Sequence, residues 1–141
     1  MDKRIKDFIV SSHIFSLGVQ DNDDGVYMAN CFYVFDEEEG VLIFKSDEKS
    51  RHIELAKKNP QVAIGIFENT KNLQEIKGVQ IKAIFKESEK IHQQSYYKAY
   101  PFARMISGKI YILKLMWVKY TDNKLLLPRK IEYHRLGSKN V

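Results

Sequence analysis

The sequence predicts a β-dominated α+β protein, a barrel of six or seven strands with short helices between them. Three observations predict it. Runs rich in Val, Ile, Tyr and Phe recur along the chain, separated by turn clusters such as Asp21-Asn22-Asp23-Asp24-Gly25. Residues 76–86 alternate, with Val79, Ile81, Ala83 and Phe85 on one face, the period of a half-buried strand. The helix-like stretches are short and stop at breakers, Asn59-Pro60 and Pro101.

Asp2 is placed to cap a helix over residues 3–10, with Ile5, Phe8 and Ile9 on one face. Residues 13–19, 26–35 and 41–45 read as an antiparallel meander, because the gaps hold Asp, Asn and Gly, which tolerate tight backbone angles. Ser46 or Asp47 is placed to cap the next helix, which runs through Lys58 with Ile53 and Ala56 facing the core and Leu55 beside them. Residues 61–67 read as a strand, 68–75 as a polar loop and 88–100 as a helix. Residues 102–106 add a short turn, 110–120 form a long strand, Thr121-Asp122-Asn123 turns, and 129–135 make a last strand after Pro128. Short-turn neighbours favour antiparallel pairing over a doubly wound parallel sheet.

A length of 141 residues fits one domain over residues 1–141, and no repeat or linker divides it. Hydrophobic residues make up 44% and aromatic residues 12%, enough to build a core and too much for a disordered chain. The single cysteine, Cys31, rules out an internal disulfide and fits a reducing compartment. The first ten residues lack the apolar stretch of a signal peptide, and no apolar run approaches the roughly 20 residues of a membrane span. A soluble cytoplasmic protein with no membrane partner is expected. The net charge is +5, and +4 of it falls from Lys119 onward. Such an excess attracts phosphates or simply solvates the surface.

Several common sites are missing from the pattern. There is no GxGxxG and no Walker sequence. His13, His52, His92 and His134 are dispersed, so no metal site is expected. The cluster at 21–25 loosely resembles a calcium loop, but its twelfth position is Phe32 and turn chemistry explains it. Cys31 has no flanking base and reads as a packing residue. The informative segment is Lys45-Ser46-Asp47-Glu48-Lys49-Ser50-Arg51-His52. It puts hydroxyls and cations at a strand end and a helix start, where free N–H groups favour an anion. Composition alone favours a capped surface helix with solvated cations. Tyr100-Pro101-Phe102-Ala103-Arg104-Met105 shapes either a pocket lid or a helix junction.

The order of these pieces resembles the FMN-binding split-barrel superfamily of pyridoxamine 5'-phosphate oxidases, and within it the small YhbP-like branch of bacterial proteins. The likeness runs from His13 to Arg135. It is carried by Ala29-Asn30-Cys31-Phe32-Tyr33, Phe44-Lys45-Ser46, Ser50-Arg51-His52, Asn59-Pro60-Gln61-Val62 and Lys77-Gly78-Val79-Gln80. The branch adds Tyr100 to Ser107 and Tyr120-Thr121-Asp122-Asn123. The resemblance implies a homodimer of six-stranded antiparallel Greek-key split β-barrels with short flanking helices and FMN in the clefts between subunits. FAD is the first alternative cofactor and haem the second. It implies that Ala29, Asn30, Cys31, Phe32 and Tyr33 run beside the flavin ring, largely through backbone groups. It implies that Lys45 and Ser46 meet the ribityl chain or phosphate, that Ser50, Arg51 and His52 meet the phosphate, and that Gln80 approaches from the other subunit. The oxidases carry two cations where this chain has Arg51-His52, and their C-terminal Trp and Arg/His set is replaced by Tyr133-His134-Arg135.

The expected function is an FMN-dependent redox protein acting on a small molecule, with no catalytic acid or base assigned. The alternative is a non-enzymatic flavin- or haem-binding or storage protein. A nucleic-acid partner is not expected, because the basic residues are not interleaved with rings. Removing Arg51 is expected to leave the barrel intact, and His52 is expected to make FMN affinity fall as pH rises past about 6.5.

Overall fold

The computed structural model describes residues 1–124 and 130–136. Its elements, in chain order, are α1 (Lys3–Ser11), β1 (Ile14–Asp21), β2 (Gly25–Asp36), β3 (Val41–Ser46), α2 (Arg51–Lys58), β4 (Gln61–Phe67), β5 (Lys77–Glu87), α3 (Lys90–Ala99), β6 (Lys109–Asp122) and β7 (Lys130–His134). Single 3-10 turns occupy Leu73–Glu75 and Pro101–Met105.

The strands form one antiparallel sheet in the order β3-β2-β1-β4-β5-β6-β7, closed into a six-stranded barrel by a further pairing of β3 with β6. The closure depends on the length of β6. Its first half, Lys109 to Lys114, pairs with β3, while Trp117 to Thr121 pairs with β7 on the same edge. The barrel is therefore split: β3 covers one half of the β6 edge and β7 the other. A register shift opposite Lys82 and Ala83 leaves Met116 of β6 as an extra residue, a bulge that bends β6 where its neighbour changes.

Alternation decides what lies inside. Phe15, Leu17 and Val19 of β1, and Val79, Ile81, Ala83 and Phe85 of β5, face the core. Phe44 sits at its centre, 5.3 Å from the Phe15 ring and 5.9 Å from that of Tyr111. Ile5, Phe8 and Ile9 of α1 close the barrel over this core, and Ile53 and Ala56 of α2 join it. A second, outer cluster lies under α3, where Tyr96 packs on Val41, Ile43, Ile110 and Ile112. Among the described residues no helix is long and apolar enough to cross a membrane.

The strands lie where the sequence places them. The helix after β3 starts later than Ser46 or Asp47 would set it. Asp47 instead receives the Lys49 N–H at 2.8 Å through its carboxylate, and its carbonyl accepts from the Ser50 N–H and hydroxyl, closing a turn. Ser50 becomes the N-cap residue, and its hydroxyl is spent on that turn. The helix read at 88–100 covers only Lys90–Ala99. Pro128 and Arg129, read as the entry to the last strand, lie outside the described residues.

Candidate functional site

The end of β3 and the start of α2 gather four of the expected phosphate-site residues. Ser46 Oγ lies 2.7 Å from His52 Nε2 and 3.4 Å from Ser50 Oγ. Lys45 reaches the other way: its Nζ donates to the Ala103 carbonyl at 2.6 Å and sits 4.9 Å over the Tyr97 ring. Arg104 stacks on Tyr97 as well, at 4.3 Å. The segment after α3 thus fixes the ammonium beside the β3 end. Burial holds the His52 imidazole below its ordinary value of 6.5, so at neutral pH it is an uncharged partner of Ser46.

Arg51 follows Ser50 but points to another element. Its Nη2 forms an ion pair with Asp21 at the end of β1 and lies 3.6 Å from Asp24 in the β1–β2 turn. Its guanidinium lies 5.6 Å from the Tyr27 ring. The step of about 100° between adjacent helix residues therefore sends the two neighbours apart, His52 to the β3 end and Arg51 to the β1–β2 hairpin. Arg51 and the Ser46–Ser50–His52 cluster flank the start of α2 from different elements.

The β2 segment splits by alternation. Asn30 and Phe32 are exposed, and the Tyr33 side chain turns into the core, where its hydroxyl donates to the Ile9 carbonyl at 2.6 Å. The Tyr33 backbone is engaged too, its N–H with the His13 carbonyl and its carbonyl with the Tyr100 hydroxyl. Cys31, opposite Phe15, packs against the core, and burial pushes its thiol up to about 11. Ala29 is half-buried opposite Leu17.

Strand register brings Gln80 onto the same outer face as Asn30. Asn30 pairs with Ser16, Ser16 with Gly65, Gly65 with Gln80, and Gln80 with Lys119, making one row across five strands. Ser16 Oγ donates to Asn30 Oδ1 at 2.7 Å within it. At Gly65 an added Cβ would meet nothing within 4 Å, so the middle of the row is an open floor. Within one chain, Gln80 and the β3–α2 junction stand on different elements, with β1 and β4 between β2 and Gln80.

Sequence reasoning missed His13, which stacks on Phe32 at 5.8 Å; Tyr100, named there only within the pocket-lid or helix-junction segment, meets Phe32 edge-on at 6.0 Å. The sequence pattern alone gives Asp21 only a turn role. One signal marked it: it continues the inward phase of Phe15, Leu17 and Val19, where a carboxylate needs a partner. Thr121-Asp122-Asn123, expected to turn, instead continues β6 through Asp122, and the chain turns only at Asn123. Asp122 accepts from the Tyr120 hydroxyl and the Lys124 N–H, and Asn123 donates to the Leu73 carbonyl. Among the described residues no group of His, Cys, Asp and Glu is placed to hold a metal ion.

Fold and site together define a small split-barrel protein with a hydroxyl–imidazole cluster and an arginine flanking one helix start. No family model matches the chain. A UPF0306 protein of Campylobacter jejuni is 40% identical over 136 residues, covering 96% of this chain and 99% of the relative, and the chain belongs to the UPF0306 family. Solved structures share the fold at low identity. A haem-binding protein from Mycobacterium smegmatis superposes with TM-score 0.74 and 11% identity, over 89% of this chain and 54% of that one. An FAD-binding protein from Mesorhizobium loti gives 0.66 and 12%, over 82% and 87%. HutZ, the haem storage protein of Vibrio cholerae, gives 0.62 and 19%, over 81% and 87%. These likenesses establish the fold as one on which proteins holding flavin or haem are built.

Proposed function

We propose that this protein binds FMN between two copies of itself and serves as a small cytoplasmic flavin-dependent redox protein. The carrying observation is the donor set at the β3–α2 junction. Ser46 lies within hydrogen-bond reach of both Ser50 and His52 at a helix start whose N-cap side chain makes no capping bond. Hydroxyls, an imidazole, helix N–H groups and the nearby Arg51 suit a phosphate, which accepts many hydrogen bonds and carries negative charge. Lys45 and Ser46 then face the ribityl chain, and the exposed edge of β2 at Asn30 and Phe32 lies beside the ring. Gln80 reaches such a ring from the second copy, which explains its distance from the junction within one chain. Bound flavin supplies the electron or hydride transfer; the protein supplies binding and orientation. The proposal includes the placement in the YhbP-like branch that the sequence suggests.

The outer sheet face supports the second copy. Val26, Met28 and Phe67 are 78%, 65% and 73% exposed around the small residues Gly18, Ala63 and Gly65. An apolar rim around a flat floor is a surface that a partner sheet covers.

A second reading, haem or flavin binding without catalysis, is favoured by His13. Its imidazole is exposed and stacked on Phe32, at the strand where the planar ring is expected. The visible absorption spectrum of the freshly purified protein, and of protein titrated with FMN or haem, separates the readings. Flavin bands together with reduction by NADH or NADPH and turnover on an acceptor support the first. A Soret band lost in His13→Ala supports the second. Binding of neither cofactor overturns both.

A further inference from the structure

We propose that Asp21 is the positioning residue for Arg51: it holds the guanidinium ordered beside the start of α2, so that a ligand phosphate meets a cation already in place. This rests on the phosphate reading above and adds to it a residue outside the β3–α2 segment.

The pair is built from the inside outward. Asp21 occupies the last inward position of β1, after Phe15, Leu17 and Val19, and its side chain is only 6% exposed. The β1–β2 turn keeps it there: the Asp21 carbonyl accepts from the Asp24 N–H at 3.1 Å, and Gly25 takes a positive φ of 87° that completes the turn. A buried carboxylate without a partner is costly, and Arg51 Nη2 is its ion-pair partner. The arginine side chain remains 50% exposed. Both aspartate contacts, to Asp21 and to Asp24, run through Nη2. A guanidinium carries five N–H donors in a rigid fork, so the donors on Nε and Nη1 remain for a second anion while Nη2 stays on Asp21. Tyr27 limits the guanidinium from the strand side.

Two signs are conceivable for the effect of Asp21 on an incoming phosphate. If the ligand had to pull Arg51 away, Asp21 would be a competitor and its removal would tighten binding. Pulling Arg51 away would leave the Asp21 carboxylate buried and unpaired, which costs more than sharing the guanidinium between two anions. Sharing therefore wins, and Asp21 acts by ordering a long, flexible side chain before the ligand arrives.

The test is fluorescence titration with FMN and with riboflavin, which lacks the phosphate, on the wild-type chain, Asp21→Asn, Arg51→Ala, Arg51→Lys and the double variant Asp21→Asn/Arg51→Ala. Asp21→Asn should weaken FMN about tenfold, within the range for a hydrogen bond to a charged group, and leave riboflavin nearly unchanged. The double variant should bind FMN no worse than Arg51→Ala alone, because Asp21 works only through Arg51. Arg51→Lys should lose most of the FMN affinity as well, since a point charge cannot serve both anions; this variant carries the test if Asp21→Asn fails to fold. Unchanged or tighter FMN binding by Asp21→Asn, equal losses for FMN and riboflavin, or full affinity in Arg51→Lys overturns the inference while the phosphate reading stands. Loss of neither ligand in Arg51→Ala, or no FMN binding by the wild-type chain, overturns the phosphate reading itself and this inference with it.

Discussion

At the residue scale, His52 and Arg51 show how much two adjacent positions can diverge. His52 is held below its ordinary value by burial, so its charged form is disfavoured in the folded protein. The unfolded chain takes up a proton as pH falls through about 6.5, and the folded one resists it. Stability is then fully present above that pH and declines as pH falls below it. Thermal melts across this window should show the decline, and His52→Gln should reduce it; an unchanged profile in that variant would remove His52 as the cause. The same shift moves any contribution of His52 to FMN affinity to the acid side of 6.5, below the window expected from the sequence. Arg51 also departs from expectation. It neutralises the buried Asp21, so Arg51→Ala should lower Tm, whereas a free surface cation would contribute little to folding. Cys31, pushed up to about 11, stays a thiol at mildly alkaline pH. Iodoacetamide should alkylate it far more slowly in the native protein than in the unfolded chain. Comparable rates would mean that the thiol is not shielded.

At the scale of elements, the site depends on how α3 and the segment after it are anchored. His92 is buried and bridges two elements: its Nδ1 accepts from the Glu89 N–H at 2.9 Å, and its Nε2 lies 2.5 Å from Glu39 in the β2–β3 turn. Beyond α3, Tyr100 reaches the Tyr33 carbonyl, and the Ala103 carbonyl holds Lys45. The chain then returns to β6 through Gly108, whose φ is 147°. A Cβ there would lie 3.1 Å from the Ser46 carbonyl oxygen. Gly108→Ala should therefore displace the β3 end, lowering stability by about 1–3 kcal/mol, the range for overpacking a tight site. It should also weaken flavin binding more than an equally destabilising core change such as Ile112→Val. Equal effects on binding would show that Gly108 matters to folding alone.

At the scale of the whole molecule, the sheet face bearing the exposed Val26, Met28 and Phe67 is where the proposed second copy docks. If a second copy covers it, light scattering should give twice the 16.6 kDa chain mass. Met28→Glu should produce monomers that lose flavin and keep their barrel, as judged by circular dichroism. A wild-type monomer that binds flavin at full affinity would sink the shared-site reading.

Local patterns determined most of the architecture. Alternation in β1 and β5, turn clusters at 21–25 and 36–40, and the stops at Pro60 and Pro101 are short-range signals, and each element formed where they place it. The Ser46–Ser50–His52 cluster was legible for the same reason, since its members lie within seven residues of sequence. What lay outside that reach was decided by tertiary structure. Asp21 finds Arg51 across 30 positions, Lys45 finds Ala103 across 58, and His92 finds Glu39 across 53. Asn30 and Gln80 share a face only because β1 and β4 register between them. Periodicity reports which side of a strand a residue occupies. The partner it meets there depends on strand order, helix rotation and barrel closure, which are set by the packing of the whole chain.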